Sequence, residues 1–156
     1  MPVTRPDRRK KVLAVASGGG HWTQLLRVTP ALAAYDIVFV TVLESYRAEV
    51  PDHKCYIVGD ANRWNKLGLI ALALRLAWIV GTERPDVVVS TGAAPGYFAV
   101  LFGGLFKAKT IWIDSVTNIE HLSMSGVLAG KHADLWLTQW PHLAKPEGPH
   151  FGGAVL

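Results

Sequence analysis

Two glycine-rich loops, each lying between an apolar β-branched run and a helical pattern, constrain the fold of this chain more than any other feature. The first is Ser17-Gly18-Gly19-Gly20-His21 and the second is Thr91-Gly92-Ala93-Ala94-Pro95-Gly96. The preceding runs, residues 11–16 and 87–90, have the continuous apolar character of strands in a parallel sheet. A strand that turns through glycine into a helix leaves backbone N–H groups unpaired, and together with the helix dipole they form an anion site.

Paired loops of this kind predict a ligand that carries phosphate groups, and a diphosphate would suit them. The alternative interpretation is that the glycines only permit tight turns between strand and helix. On the first interpretation, the candidate phosphate- or substrate-binding residues of the two loops are Ser17, Gly18, Gly19, Gly20, Thr91, Gly92 and Gly96.

Strand and helix patterns alternate along the rest of the chain. Strands are predicted at residues 11–16, 37–43, 55–58, 87–91, 110–113 and 134–138. Helices are predicted at residues 22–34 with a break near Pro30, at 67–80, and at 95–106, where Pro95 suits the first helical position. This alternation indicates right-handed βαβ units. We therefore expect an α/β fold: a single Rossmann-like domain with a mostly parallel sheet of about six strands.

The chain divides into three segments. Its 156 residues have room for one such domain, at residues 11–140. A basic arm, residues 1–10, precedes it, and a tail rich in Pro, Gly and His, residues 141–156, follows. The tail ends in Ala154-Val155-Leu156, an apolar group with no obvious place in the predicted sheet. We expect the tail to dock a partner.

Composition narrows the range of partners. Half of the residues are apolar and 18% are charged, which favours a surface kept for a partner or a membrane. The basic arm lacks the interleaved aromatic residues typical of RNA-binding segments, so no nucleic acid is expected, and the arm either contacts anionic lipid or is solvated.

Cys55 is the only cysteine and the six histidines lack metal-ligand spacing, so no disulfide and no metal are predicted. We predict no cofactor.

The helix predicted at residues 67–80 is apolar all round, with Arg75 as its single charge. One interpretation is a core helix, because a helix without a polar face is buried on most sides. The other is a helix that faces a membrane, since Trp64 and Trp78 lie near its two ends with basic neighbours. It is too short to cross a bilayer.

Three residues are candidates for the chemistry. His21 follows the first glycine turn, so it should lie at the carboxyl edge of the sheet, as a general base or as a phosphate ligand. Asp114 ends the fifth predicted strand at the same edge, as a second candidate base or as a capping carboxylate. Glu120 follows it in the next loop.

Two common nucleotide signatures fit poorly. The first loop is not a P-loop, because no Lys-Ser or Lys-Thr follows the glycines. As a dinucleotide fingerprint it offers Gly18 and Gly20 but places Thr23 at the third position, although Glu44 lies where a ribose-binding acid would be. A stand-alone nucleotide- or NAD-binding enzyme is therefore an alternative.

The chain resembles a known family in its motifs from about Lys11 to Leu156. These are the Ser-Gly-Gly-Gly-His loop, the Thr91-Gly92 to Pro95-Gly96 loop, Ile113-Asp114-Ser115, Leu122-Ser123-Met124-Ser125-Gly126, Ala133-Asp134 and Gln139-Trp140-Pro141. They are similar to those of the membrane-associated subunit of the two-component N-acetylglucosaminyltransferase of dolichol-linked oligosaccharide assembly. They also resemble its relatives in bacterial exopolysaccharide and capsule clusters, which often transfer glucuronic acid. More distantly, the glycine loops resemble the N-terminal half of the glycosyltransferase that builds lipid II.

The resemblance implies a GT-B architecture split over two chains. This chain would be the N-terminal, acceptor-side half of an inverting glycosyltransferase, inactive alone. A separate donor-binding subunit would carry most of the site for the nucleotide diphosphate sugar. The acceptor would be a polyprenyl-diphosphate-linked saccharide at the cytoplasmic face of the cell membrane, to which the chain would attach peripherally. A further alternative is a non-catalytic recruiter of the catalytic subunit.

Overall fold

Seven parallel strands form one sheet in the computed structural model, which describes residues 8–155. The strands are β1 (Lys11–Ala16), β2 (Asp36–Thr41), β3 (Lys54–Ile57), β4 (Val87–Gly92), β5 (Lys109–Ile113), β6 (Leu135–Thr138) and β7 (His150–Phe151). The helices are α1 (Gly20–Val28), α2 (Lys66–Glu83), α3 (Ala93–Leu105) and α4 (Met124–Gly130), with 3-10 helices at Thr29–Leu32, Glu44–Glu49 and Pro141–Leu143. The predicted α/β Rossmann-like fold is confirmed.

The strand order is β3-β2-β1-β4-β5-β6-β7, and every neighbouring pair is parallel. The chain moves outward from β1 in one direction and then returns to place β4 on its other side. The order therefore reverses between β1 and β4, and ligands of such sheets bind outside the carboxyl ends of the strands at that reversal. The two glycine loops follow β1 and β4, so the topology brings them together there.

Alternate residues of β1 pack into two separate cores. Leu13 and Val15 lie on the face covered by α2, α3 and α4. Ala14 and Ala16 lie on the opposite face, where Trp22 of α1 packs. Burial on both faces explains why the sequence of this strand is continuously apolar instead of alternating.

Three local features differ from the sequence prediction. The sheet has seven strands instead of about six, because His150 and Phe151 in the tail pair with Leu137 and Thr138. The first helix ends at Val28, and a 3-10 turn carries the chain past Pro30, whose ring cannot continue an α-helix. Helix α4 was not predicted, although its N-cap is explicit: the Ser123 hydroxyl accepts a hydrogen bond from Gly126 N–H at 2.9 Å.

Helix α3 packs unusually close to the sheet because two of its residues lack side chains. A Cβ on Gly103 would lie 2.7 Å from Cγ2 of Val88, and a Cβ on Gly96 would collide with the Ser90 hydroxyl. Pro95, expected at the first helical position, is the third residue of α3 because the helix begins at Ala93.

A buried ion cluster fixes the amino edge of the sheet, opposite the glycine loops. The Glu83 carboxylate, at the end of α2, accepts from Lys11 Nζ at 2.9 Å, from Lys54 Nζ at 2.6 Å, and from the Tyr56 hydroxyl. Burial alone would raise the pKa of Glu83, but the hydrogen bonds from Lys54, Tyr56 and Lys11 outweigh it and lower the pKa to about 2. The same contact raises the pKa of Lys54 above its usual range.

This cluster predicts a loss of stability in acid. The pKa of Glu83 falls from 4.5 to about 2 on folding, so its contribution to the free energy of unfolding is complete above pH 4.5 and is lost as the pH falls to about 2. The loss should be about 3 kcal/mol. Urea unfolding across this pH range should show this loss of unfolding free energy in the wild type and not in Glu83→Gln. The exposed Glu120→Gln variant should behave as the wild type, and an unchanged slope in Glu83→Gln would contradict the assignment.

Candidate active site

The two glycine loops meet at the reversal point with backbone angles that favour glycine. Gly19, the N-cap of α1, has φ +65°, and Gly92, the N-cap of α3, has φ +146°. Both angles lie in the region that residues with a Cβ avoid. At Gly92 the space is also occupied, because a Cβ there would collide with the imidazole of His21. Gly92 therefore lets the first loop lie directly against the second.

A reciprocal pair of hydrogen bonds ties His21 to Thr91. The Nδ1 atom of His21 lies 3.0 Å from the Thr91 carbonyl oxygen, and the Thr91 hydroxyl donates to the His21 carbonyl oxygen at 2.6 Å. Because a carbonyl oxygen only accepts, Nδ1 carries the proton of this bond. In the neutral ring the lone pair therefore lies on Nε2. The pair leaves His21 half-buried, oriented, and in the tautomer that a general base requires.

The first loop presents the N-terminal turn of α1. By helix geometry, the N–H groups of Gly20, His21 and Trp22 have no partner within the helix. The N–H of Gly19 is used differently, since it donates to the Tyr46 hydroxyl at 2.9 Å. Ser17, the first residue of the loop and a predicted binding residue, is buried. The arrangement offers a row of backbone donors beside His21, which suits an anionic group.

More of the hydrogen-bonding groups of the second loop are paired within the protein than the sequence suggested. The Thr91 hydroxyl is bound to His21, and Gly92 N–H donates to the Ser90 hydroxyl at 3.1 Å. Ala93 has φ +64°, an uncommon angle for a residue with a side chain. Gly96 is buried against Ser90, so close packing of α3 accounts for it. This loop therefore positions the first loop at least as much as it offers donors of its own.

Asp114 is a buried carboxylate surrounded by donors. It is 1% exposed, at the end of β5. Oδ1 accepts from Trp112 Nε1 at 3.1 Å and from the Ser123 hydroxyl at 2.6 Å. Oδ2 accepts from Asn118 Nδ2 at 3.1 Å and from Ser123 N–H at 3.0 Å. A carboxylate has about four acceptor positions, so these bonds leave none for a substrate proton. The geometry favours a role for Asp114 in holding the loop that follows it, as the capping carboxylate of the alternative interpretation, and leaves His21 as the better candidate base.

The loop that Asp114 holds lies at the same edge of the sheet as the glycine loops. It runs from Ser115 to Ser123, where it caps α4. Glu120, the third predicted residue, is exposed in this loop.

Sequence reasoning missed a buried polar network that joins α1, β5 and the tail. Gln24 lies one helical turn after His21, and its Nε2 donates to the Ser115 hydroxyl at 3.0 Å. Gln139, at the end of β6, donates to Oε1 of Gln24 at 2.6 Å and accepts from Val155 N–H at 2.7 Å. The apolar spacing of α1 gave no signal for Gln24, and Gln139 was noted only within the family motif. The network holds residue 155 of the tail over the carboxyl edge of the sheet.

No group of three metal-ligating side chains occurs among residues 8–155. The groups available to a ligand at this edge are the backbone N–H donors of α1 and the imidazole of His21. The arrangement can hold an anion and accept a proton beside it.

A comparison with protein families shows which family the chain belongs to. The model for Alg14-like oligosaccharide biosynthesis proteins matches residues 54–153. The chain belongs to the Alg14-like family. The expectation of a glycosyltransferase subunit is confirmed with it.

Individual relatives agree with this membership. The UDP-N-acetylglucosamine transferase subunit ALG14 of Yarrowia lipolytica is 27% identical, over 86% of this chain and 76% of its own. The human protein of the same name is 26% identical, over 99% of this chain and 87% of its own.

Solved structures share the fold. MurG of Acinetobacter baumannii superposes with a TM-score of 0.74 at 13% identity, over 91% of this chain. A UDP-GlcNAc 2-epimerase of Methanocaldococcus jannaschii superposes with a TM-score of 0.64 at 14% identity, over 83% of this chain. The chain spans 45% of the MurG chain and 40% of the epimerase chain. The fold expected from the resemblance is confirmed.

Proposed function

We propose that this Alg14-like protein is the acceptor-binding and scaffolding subunit of a two-component inverting glycosyltransferase. The complex moves a sugar from a nucleotide diphosphate sugar to a polyprenyl-diphosphate-linked saccharide in polysaccharide biosynthesis. The observation that carries the proposal is the His21–Thr91 pair, which fixes an imidazole base beside a row of backbone donors at the carboxyl edge of the sheet. The name "subunit" in the relatives supports the second component.

The chemistry assigned to this chain is one proton transfer and the binding of one anion. The first glycine loop holds the diphosphate of the acceptor through the N-terminal amides of α1. His21 Nε2 removes the proton from the acceptor hydroxyl as its oxygen attacks the anomeric carbon of the donor. The bond from that carbon to the nucleotide diphosphate breaks on the opposite face, so the configuration inverts and no covalent intermediate forms. The nucleotide diphosphate leaves on the side of the partner subunit.

Asp114 and the polar network act on this site indirectly. Asp114 fixes the 115–123 loop, and the exposed Glu120 of that loop is a proposed contact for the acceptor saccharide. Gln24 and Gln139 connect α1 to the tail. The tail, residues 141–156, docks the donor-binding subunit in this proposal, because its residue 155 is bound at the edge of the sheet where the two halves of a GT-B enzyme would face each other.

The partner requirement can be tested by co-expression. The purified chain should transfer no sugar from a panel of nucleotide sugars, including UDP-N-acetylglucosamine, to a lipid-linked acceptor. Addition of the donor-binding subunit from the neighbouring reading frame should give activity. Deletion of residues 154–156 should weaken co-purification of the two chains far more than it lowers the Tm of this one, from which it removes the bond from Val155 N–H to Gln139. Sugar transfer by the purified chain alone would contradict the proposal, and transfer that needs the partner but survives loss of His21 would favour the recruiter alternative.

Helix α2 supports peripheral attachment to a membrane. Each of the two interpretations of its sequence, core helix and membrane-facing helix, fits one of its faces. Leu72, Leu76 and Ile79 are buried against the sheet. On the outer face Leu67 is 81% exposed and Leu74 is 67% exposed. The outer face also carries the exposed Ile70 and Trp78, and the exposed Trp64 lies two residues before the helix. No helix among residues 8–155 has both the length and the hydropathy to span a bilayer.

A vesicle experiment tests this attachment. The chain should float with vesicles that contain anionic lipid at low salt, because the apolar face of α2 is flanked by Arg63, Lys66 and Arg75. Binding should weaken in 1 M salt, where the Debye length shrinks to about 3 Å. Leu67→Ser with Leu74→Ser should abolish flotation without lowering the Tm, whereas Leu43→Ser, an exposed leucine outside α2, should leave it intact. Flotation that is unchanged in the double variant would contradict the role of α2.

A further inference from the structure

Tyr46 reaches the first glycine loop from the connection between β2 and β3. Its hydroxyl accepts a hydrogen bond from Gly19 N–H at 2.9 Å. Its ring stacks on Trp22, with ring centroids 5.0 Å apart and an interplanar angle of 7°. Trp22 is a buried residue of the first turn of α1. Tyr46 therefore holds the loop at two points: the backbone just before the helix and a side chain of its first turn.

The Gly19 contact matters because it fixes an N–H group of the loop, whereas the N–H and the hydroxyl of Thr23 bind only the Gly19 carbonyl oxygen, at 3.1 and 3.3 Å. Three consecutive glycines have more backbone freedom than any other tripeptide, and ordering them costs conformational entropy. Among residues 8–155, Tyr46 is the only side chain that accepts from an N–H of these three glycines. The bond from Gly19 N–H to Tyr46 fixes the peptide group that precedes α1. Gly19 adopts φ +65° at this point. A loop ordered before the ligand arrives binds more tightly than one ordered by the ligand.

The imidazole of His21 is held by other means. Its Nδ1 lies against the Thr91 carbonyl, and the Thr91 hydroxyl binds the backbone of His21. These bonds come from the second loop and do not involve Tyr46. Loss of the Tyr46 hydroxyl should therefore loosen the anion-binding amides without displacing the base. Binding of the anion and the turnover step should respond differently.

We propose that Tyr46 is a positioning residue that pre-organises the first glycine loop for the diphosphate of the acceptor. The inference rests on the proposed function, since it assigns the loop to that anion. It adds the β2–β3 connection, which carries no motif, to the parts of the chain that determine affinity for the acceptor.

The test is Tyr46→Phe in the assembled two-chain complex. This variant keeps the ring on Trp22 and removes only the acceptor of the Gly19 bond. The KM for the lipid-linked acceptor should rise about five- to tenfold, as expected for one lost hydrogen bond, while kcat stays within about twofold. Tyr35→Phe is the matched control, because Tyr35 is exposed at the start of β2. A role confined to folding would lower the Tm and the active fraction without changing KM.

A second variant separates failure of this inference from failure of the proposed site. A Cβ at Gly20 meets only Gln24 Nε2, at 3.9 Å, so Gly20→Asp and Gly20→Asn both fit. The aspartate should repel a bound phosphate and raise the KM for the acceptor more than the asparagine does. If Gly20→Asp raises that KM and Tyr46→Phe leaves it unchanged, the Tyr46 inference is overturned and the anion site stands. If neither changes it, both are overturned.

Discussion

His21→Ala should lower kcat of the assembled complex by about 10²–10⁴-fold, the usual contribution of a general base. The physical reason is the bond to the Thr91 carbonyl, which places the proton on Nδ1 and the lone pair on Nε2. Without the imidazole the acceptor hydroxyl must attack while still protonated, or lose its proton to water. The KM for the acceptor should change little, because the backbone donors of α1 remain in place.

The alternative role for His21 predicts the opposite split. A histidine that only contacts phosphate would raise KM, by on the order of 1–3 kcal/mol in binding free energy, and leave kcat near the wild-type value. His150→Ala, which changes an exposed histidine of β7, is the control. A wild-type kcat in His21→Ala would exclude the base role.

The sheet could be predicted from the sequence because its strands are buried on both faces. Val12, Leu13, Val15 and their neighbours form a continuous apolar run whose short length and following glycines favour a strand over a buried helix. The edge strand β7 could not be predicted in this way. Two residues, His150 and Phe151, carry no periodicity, and they form a strand only because β6 is available beside them.

The candidate site could be predicted in position but not in its contacts. The glycine loops place His21 at the carboxyl edge through local rules of strand and helix geometry. The bond from His21 to Thr91 joins residues 70 positions apart, and no local pattern encodes it. The role of Tyr46 has the same origin, since its side chain meets Gly19 only after β2 pairs with β1. Sequence patterns therefore identify the site, and tertiary contacts decide what each residue in it does.

The second glycine loop shows the same difference between a motif and the contacts it makes. Its sequence resembles a phosphate site as strongly as that of the first loop. In the structure its hydroxyl and its glycine are used to hold His21. The resemblance was confirmed for the fold and the family, whereas the roles of single residues remain predictions that variants of the complex must test.

Asp114→Asn should lower the free energy of unfolding by about 3 kcal/mol and leave kcat of the folded complex within a few-fold of the wild type. The carboxylate accepts from Trp112, Asn118 and twice from Ser123 while 99% of its surface is excluded from solvent. The amide of asparagine can accept at one oxygen only, and its NH₂ group would face donors at the other position. Each buried donor left unpaired costs about 1–3 kcal/mol.

The measurements are urea unfolding of the isolated chain and kinetics of the complex below the unfolding transition. Asp134→Asn is the matched control, because Asp134 accepts from Thr110 N–H at 2.8 Å at the opposite edge of the sheet but is itself exposed. It should cost less than half as much stability as Asp114→Asn, because only Oδ2 of Asp134 accepts from Thr110, so the asparagine can keep its oxygen there while its NH₂ group faces water. If Asp114→Asn instead keeps its stability and loses kcat by 10²-fold or more, Asp114 is the base. The four donors would then have to open when the acceptor binds, and His21 would be left with the phosphate.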